Sequence, residues 1–245
     1  MKKRLHTIDS LRGITIFSMV MYHAYWDLVF LFDTKIRYAE FADIWQQSIC
    51  WSFIFIAGFT AAFKRPSLRR IAEIFAGGAA VTIVSRLLSD PTAVINFGVL
   101  TFISSALFTC YLLYPLINER SIRFYAVFTA VSALLFAVSR HVSQGYVGID
   151  GLFVKELPLF LYKGWFMTFL GFMEHGFYSA DYFPFIPWVF MFFIGYGFSK
   201  LMKPYLNLSF FYKKIPFFSY IGRHSLLIYL VHQPIIYIGL RMFIK

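Results

Sequence analysis

The sequence is poor in charge, in acidic residues and in cysteine. Only 14% of its 245 residues are charged, 12 residues are acidic and two are cysteines. A soluble domain has roughly a quarter of its residues charged, so a water-soluble fold would lack the polar surface to cover itself. Cys50 and Cys110 each lie alone in an apolar run, which argues against a disulfide scaffold.

The sequence also lacks the motifs of several enzyme classes. It contains no Walker loop and no dinucleotide-binding glycine motif, and its histidines and cysteines do not occur at metal-ligand spacings. These absences argue against an ATPase, a dinucleotide-dependent oxidoreductase and a zinc protease. We therefore predict that the protein uses no metal.

Apolar residues dominate what remains. Hydrophobic residues make up 59% of the chain and aromatic residues 22%. Seven apolar stretches each approach the roughly 20 residues that span a bilayer. They cover residues 11–32, 44–63, 71–88, 91–117, 124–139, 182–199 and 217–240. The sequence predicts an all-α integral membrane protein of about seven transmembrane helices, forming one domain over residues 1–245.

An eighth apolar segment, residues 157–173, differs from the other seven. It contains Pro158, Lys163, Gly164 and Gly171, and a full crossing here would move the following lysine cluster to the opposite side of the membrane. We expect either a re-entrant piece or an aromatic interfacial helix on the outer face.

Basic residues predict the orientation. With the N-terminus inside, the cytoplasmic segments hold 15 of the 23 lysines and arginines, so the positive-inside rule places the N-terminus in the cytoplasm and the C-terminus outside. The net charge of +11 is divided into short clusters between apolar runs. This pattern is typical of loops beside membrane lipids, and we expect no nucleic-acid partner.

Three ionisable residues share one face of the predicted first helix. Arg12 and His23 are eleven residues apart, or about 16 Å along the axis. Asp27 follows His23 by four residues, within side-chain reach. A carboxylate there can fix the imidazole tautomer, so we predict His23 as a general base or acyl carrier and Asp27 as its partner. Asp9 is expected to hold the Arg12 guanidinium.

The predicted last helix repeats this polar pattern. Arg223 stands at its cytoplasmic edge, and His232 follows about 13 Å deeper, at a depth similar to His23. We predict that His232 orients substrate or transfers a proton. Tyr22 of the first helix, Tyr229 or Gln233 is predicted to donate a hydrogen bond to an oxyanion. The alternative for both helices is a polar network that holds helices together without chemistry.

Further binding candidates lie in the loops. Arg12, Arg223 and a basic cluster of Arg65, Arg69 and Arg70 are candidates for binding phosphate groups, although membrane topology and anionic lipid also explain this cluster. Asp181 precedes an aromatic, proline-containing turn. It is expected either to bind a polar acceptor or to cap a helix.

Several motifs in order along the chain resemble a known family. They are Ile8 to Gly13, Tyr22-His23, Asp27-Leu28, Phe55 to Gly58, Asn96 to Leu100, Asp181 to Trp188 with Gly195, and Gly222 to Pro234. Together they resemble the bacterial relatives of the heparan-alpha-glucosaminide N-acetyltransferase catalytic domain. The first helix also resembles the bacterial membrane O-acyltransferases of surface glycans.

The resemblance implies a membrane acyltransferase with an intramembrane histidine, and His23 is the matching position. The implied acyl donor is cytosolic acetyl-CoA, and the implied acceptor is an amine or hydroxyl of a glycan-like molecule. A bacterial cytoplasmic membrane location and a homodimer are implied in the same way.

Two other functions stay open at this point. A proton-coupled transporter or lipid flippase could use the same histidine and aspartate as a proton relay, although such proteins commonly show inverted repeats. A non-catalytic assembly subunit would not need three ionisable residues on one helix face.

Overall fold

The computed structural model describes residues 5–32, 35–87 and 94–244, and most of these residues are helical. The helices are α1 (His6–Phe30), α2 (Phe41–Ala61), α3 (Leu68–Leu87), α4 (Val99–Ile117), α5 (Ile122–Ser139), α6 (Trp165–Leu170), α7 (Phe185–Leu201), α8 (Pro216–Arg223) and α9 (Ser225–Phe243). One hairpin of β1 (Tyr146–Ile149) and β2 (Phe153–Glu156) follows α5.

Three helices of the described chain are long and apolar enough to cross a membrane. They are Val99–Ile117, Ile122–Gln144 and Ser225–Phe243, and Phe185–Leu201 is a shorter apolar helix. The structure therefore agrees with a helical membrane protein. The number of seven spans and the orientation of the two termini stay predictions.

The region after α5 corrects the all-α prediction. Strands β1 and β2 pair antiparallel, with Tyr146 opposite Glu156 and Ile149 opposite Phe153. The expected re-entrant or interfacial segment is a 3-10 turn over Leu159–Leu161 followed by the six-residue helix α6. Six helical residues extend about 9 Å, which is far too short to span a bilayer.

Two of the predicted helices differ from the observed ones by more than a few residues. Helix α4 begins at Val99 rather than near residue 91, because residues 94–98 are held in an irregular loop by hydrogen bonds to segment 179–183. The predicted last helix is two helices, since the backbone leaves helical geometry at His224. Helix α9 continues through Pro234.

The chain divides into two compact units, with the boundary inside α2. Unit 1 comprises Met1–Ile56 and Pro204–Lys245, and unit 2 comprises Ala57–Lys203. In unit 1, helix α1 packs on α8 near its start and on α9 near its end. A buried apolar cluster that includes Ile16, Met19 and Ile49 joins α1 to α2.

In unit 2 the helices pack in two pairs, α3 with α4 and α5 with α7. A Cβ on Gly197 of α7 would overlap the hydroxyl of Thr129 on α5, so this glycine lets the two helices approach closely. Phe128 packs against Phe193 across the same pair, with ring centroids 5.6 Å apart. Lys200 of α7 donates to Asn118, which links α7 to the end of α4.

Candidate active site

Small residues bring α1 and α8 into backbone contact at one end of unit 1. A Cβ on Gly13 would overlap the carbonyl oxygen of Phe218, and a Cβ on Gly222 would overlap the carbonyl oxygen of Asp9. One turn away, the hydroxyls of Ser10 and Ser219 are 2.7 Å apart. Close backbone approach through small residues is a common way to join helices in membranes. The crossing therefore fixes α1 against α8.

The crossing holds the predicted charged residues of unit 1 at the same end. Arg12 and Asp9 form the expected ion pair, with Nη1 and Oδ1 3.7 Å apart. Arg223 at the end of α8 is exposed and donates from Nε to the carbonyl oxygen of Ser219 at 3.2 Å. Two arginines are thus anchored on adjacent helices at the predicted cytoplasmic end.

Further along α1, the two predicted histidines lie side by side. The ring centroids of His23 on α1 and His232 on α9 are 4.9 Å apart, with a tilt of 58° between the ring planes. The sequence placed both at similar depth but could not show that the rings touch. His232 is 8% exposed, so this contact lies in the interior of the unit.

The tautomer of His232 is set by its own helix. Its Nδ1 lies 2.7 Å from the carbonyl oxygen of Tyr229. A carbonyl can only accept a hydrogen bond, so Nδ1 carries the proton in the neutral ring and Nε2 holds the basic lone pair. The Tyr229 ring also packs on the imidazole, with centroids 5.5 Å apart. Tyr229 therefore orients the histidine through its backbone as well as its ring.

Asp27 contacts a different residue from the one predicted. Gln233 donates from Nε2 to both carboxylate oxygens of Asp27, at 2.9 and 3.1 Å. Asp27 is 0% exposed, and within the described chain neither of its oxygens bonds to His23. Gln233 is therefore the partner of Asp27, and the Gln233 Oε1 atom is buried without a hydrogen-bond partner among the described residues.

On the other side of His23, tyrosines connect α1 to the start of α2. The hydroxyls of Tyr22 and Tyr38 are 3.3 Å apart, and Tyr38 donates to Asp43 at 2.8 Å. Burial raises the pKa of Tyr38, and the hydrogen bonds with Tyr22 and Asp43 raise it further. Trp45 donates to Ser18 at 2.7 Å, which fixes α2 to α1 beside these tyrosines.

The remaining predicted binding residues belong to unit 2. Arg69 and Arg70 both pair with Glu73, at 3.0 and 3.4 Å, so the basic cluster is partly neutralised. Arg65 stacks on the ring of Tyr111, with its guanidinium carbon 3.9 Å from the ring centroid. Arg65 thus contacts Tyr111, whereas Arg69 and Arg70 contact Glu73.

Asp181 acts as a helix cap in this structure. Its Oδ2 accepts from the backbone N–H of Val99 at 3.3 Å, at the start of α4 rather than of the helix that follows it in sequence. The sequence alternative placed Asp181 near the start of the helix that follows it, whereas the structure has Asp181 cap α4 instead.

Sequence reasoning missed the residues that build the crossing. Ser10 and Gly13 on α1, and Ser219 and Gly222 on α8, repeat the same spacing of a serine followed three residues later by a glycine. Such paired small residues on two apolar helices are a signal of close packing, and they could have indicated which helices touch.

Apolar helices long enough for a bilayer and a histidine pair between two helices define a helical membrane protein with a buried polar centre. Comparison with protein families identifies it further. Residues 4–234 match the model described as heparan-alpha-glucosaminide N-acetyltransferase, catalytic. The chain belongs to this family, which confirms the resemblance seen in its motifs and indicates a membrane acetyltransferase. No curated protein and no solved structure matches the chain.

Proposed function

We propose that the protein transfers an acetyl group from acetyl-CoA to an amine or hydroxyl of a glycan-like acceptor, with His23 and His232 as the reacting pair. The observation that carries this proposal is the contact between the two imidazoles, 4.9 Å apart at their centroids. One ring can hold the acetyl group while the other moves the proton. Family membership supports the class of reaction.

The proposed reaction has two balanced steps. A nitrogen of His23 attacks the thioester carbonyl, the carbon–sulfur bond breaks, and the proton lost from His23 passes through Nε2 of His232 to the sulfur, giving CoA thiol. The acceptor then attacks the acetyl carbon and gives its proton to His232. The bond to His23 breaks, and His232 returns the proton to His23.

His232 suits the proton-transfer role because its tautomer is fixed. The hydrogen bond from Nδ1 to the Tyr229 carbonyl keeps the basic lone pair on Nε2. Gln233 and Asp27 brace the same turn of α9 against α1, so they are positioning residues in this proposal.

The arginines at the crossing are proposed to bind the donor. CoA carries several phosphates, and Arg12 and Arg223 are held at one end of α1 and α8. From that end, the pantetheine arm would run along α1 toward His23, a distance of about 16 Å. Arg65 is a second candidate for phosphate binding, whereas Arg69 and Arg70 are paired with Glu73.

The proposal is tested with purified full-length protein in detergent. We expect His23→Ala to bind acetyl-CoA and to lose hydrolysis and transfer by about 10² to 10⁴-fold, the usual contribution of an acid–base or nucleophilic group. His175→Ala is the matched control, because His175 is an exposed histidine of unit 2. Well-folded wild-type protein that binds no acetyl-CoA would remove the acetyltransferase proposal and favour the transporter.

A second measurement separates an acyl carrier from a simple base. In a single turnover with radiolabelled acetyl-CoA, transfer of a label that neutral hydroxylamine removes to wild-type protein, and none to His23→Ala, supports an acetyl-His23 intermediate. Release of CoA thiol only when an acceptor is present would assign His23 the role of general base instead.

A further inference from the structure

Three aromatic rings cluster at one end of unit 2, where α3 ends and α4 begins. The ring centroids of Phe97 and Trp165 are 5.4 Å apart, and Phe177 lies 6.0 Å from each of them. Phe97, Trp165 and Phe177 are called the aromatic platform below. Trp165 remains 55% exposed although both other rings contact it. The platform therefore presents a large aromatic surface that the described protein does not cover.

The loop that carries Phe97 is held in an unfavourable backbone conformation. Phe97 has a φ of 55°, in the left-handed region that residues with a Cβ avoid. Its carbonyl accepts from the Phe183 N–H at 2.9 Å, and the Ser179 hydroxyl bonds both the N–H and the carbonyl of Asn96. Strained backbone that is held by several hydrogen bonds is common at binding sites. The Phe97 part of the platform is thus held in place by these hydrogen bonds.

A fixed cation stands beside the platform. Arg86 donates from Nη2 to the Asn96 side chain at 2.6 Å, and its guanidinium carbon lies 5.5 Å from the centroid of the Trp165 ring. Asn96 is buried and its amide also donates to the Tyr178 carbonyl, so the arginine has a rigid anchor. A guanidinium has five N–H groups, and in the described structure one of them is used.

We propose that the aromatic platform and Arg86 bind a sugar ring that carries an anionic group. The C–H face of a sugar stacks on an aromatic ring, and a guanidinium binds a carboxylate or phosphate bidentately. Lys163, two residues before Trp165, is exposed and adds positive charge to the same segment. A ring that only anchors the protein in lipid needs neither a strained neighbour nor a fixed arginine. All four residues, the three of the platform and Arg86, belong to unit 2, so the sugar site is proposed independently of acetyl transfer at the histidines of unit 1.

The test measures sugar binding directly, without turnover. Full-length protein in lipid nanodiscs is titrated by calorimetry with glucuronic acid, glucose 6-phosphate, glucose and inorganic phosphate. We expect saturable binding of the two anionic sugars and weaker binding of glucose. Trp165→Ala should weaken anionic-sugar binding at least tenfold, with Trp165→Phe intermediate, because the smaller ring keeps part of the stacking surface. Phe160→Ala is the control, since Phe160 is 70% exposed and outside the platform.

Arg86→Gln tests the charge separately. We expect it to remove the preference for anionic over neutral sugar while binding of glucose is kept. The proposal is overturned if folded wild-type protein binds none of the sugars, if Trp165→Ala and Phe160→Ala behave alike, or if inorganic phosphate competes fully and shows a phosphate or lipid headgroup site.

Failure of this inference is distinguishable from failure of the proposed function. Binding and hydrolysis of acetyl-CoA by wild-type protein involve no acceptor, so they report on the histidine site alone. Sugar binding with no acetyl-CoA binding would keep the sugar site and remove the acetyltransferase. Acetyl-CoA turnover with no sugar binding would keep the acetyltransferase and remove the sugar site.

Discussion

Two hydrogen bonds from Gln233 join α9 to the buried carboxylate of Asp27 on α1. Gln233→Leu keeps the size of the side chain but removes both hydrogen bonds to a carboxylate that is 0% exposed. Hydrogen bonds to charged groups contribute about 1.5–3 kcal/mol, and a buried charge left unpartnered costs at least as much. We expect Gln233→Leu to lower the free energy of unfolding by about 2–4 kcal/mol.

The loss is measured by equilibrium unfolding in mixed micelles, as a double-mutant cycle. Asp27→Leu combined with Gln233→Leu should recover part of the stability lost in Gln233→Leu, because the unpartnered carboxylate is then absent. Gln46→Leu, at an exposed position of α2, is the control and should change stability by less than about 0.5 kcal/mol. The reasoning is refuted if Gln233→Leu lowers the free energy of unfolding no more than Gln46→Leu does. It is also refuted if the double-mutant cycle shows no coupling energy between Asp27 and Gln233.

Two further predictions concern backbone contacts. Gly222→Ala should lower the free energy of unfolding by about 1–3 kcal/mol, because the new Cβ overlaps the Asp9 carbonyl. At Gly239 a new Cβ meets open space, so Gly239→Ala should leave stability unchanged or raise it. If the two variants shift the thermal unfolding midpoint equally, the close crossing of α1 and α8 is contradicted. Asp181→Ala should destabilise α4 by about 0.5–2 kcal/mol by uncapping Val99, and Asp181→Asn should not. Unchanged unfolding of Asp181→Ala would contradict the capping role.

Much of the helical framework was predictable because apolar runs mark buried or lipid-facing helices. The runs containing α4, α5 and α9 were found, and the run of α5 was located to within two residues at each end. The start of α4 and the break at His224 were not predictable. Both depend on partners distant in sequence, namely the segment around Ser179 that bonds Asn96 and the glycine contacts that fix α8 on α1.

The hairpin was missed for a related reason. Strand β2 reads Phe153-Val154-Lys155-Glu156 and all four residues are exposed, so it carries no alternation of buried and exposed positions. The pairing with β1 is instead set by the turn between them, which includes Gly151 at a φ of 82°.

The site was predictable along one helix and less so between helices. Residue spacing on α1 predicted that Arg12, His23 and Asp27 share one face of the helix. It also predicted the ion pair between Asp9 and Arg12. The same spacing suggested that Asp27 would bond His23, because residues four apart on a helix are within reach. The sequence holds no information about the angle at which α9 meets α1, and that angle brings Gln233 to Asp27 instead.

The hydrogen bond from His232 to Tyr229 has a consequence for motion. Donor and acceptor belong to one turn of one helix, so a tilt or slide of α9 moves both together. Nδ1 of His232 therefore keeps its proton whatever the distance between α9 and α1. A catalytic cycle that opens these helices to admit a substrate and closes them again would return the same imidazole tautomer each time, without a proton rearrangement before the next turnover.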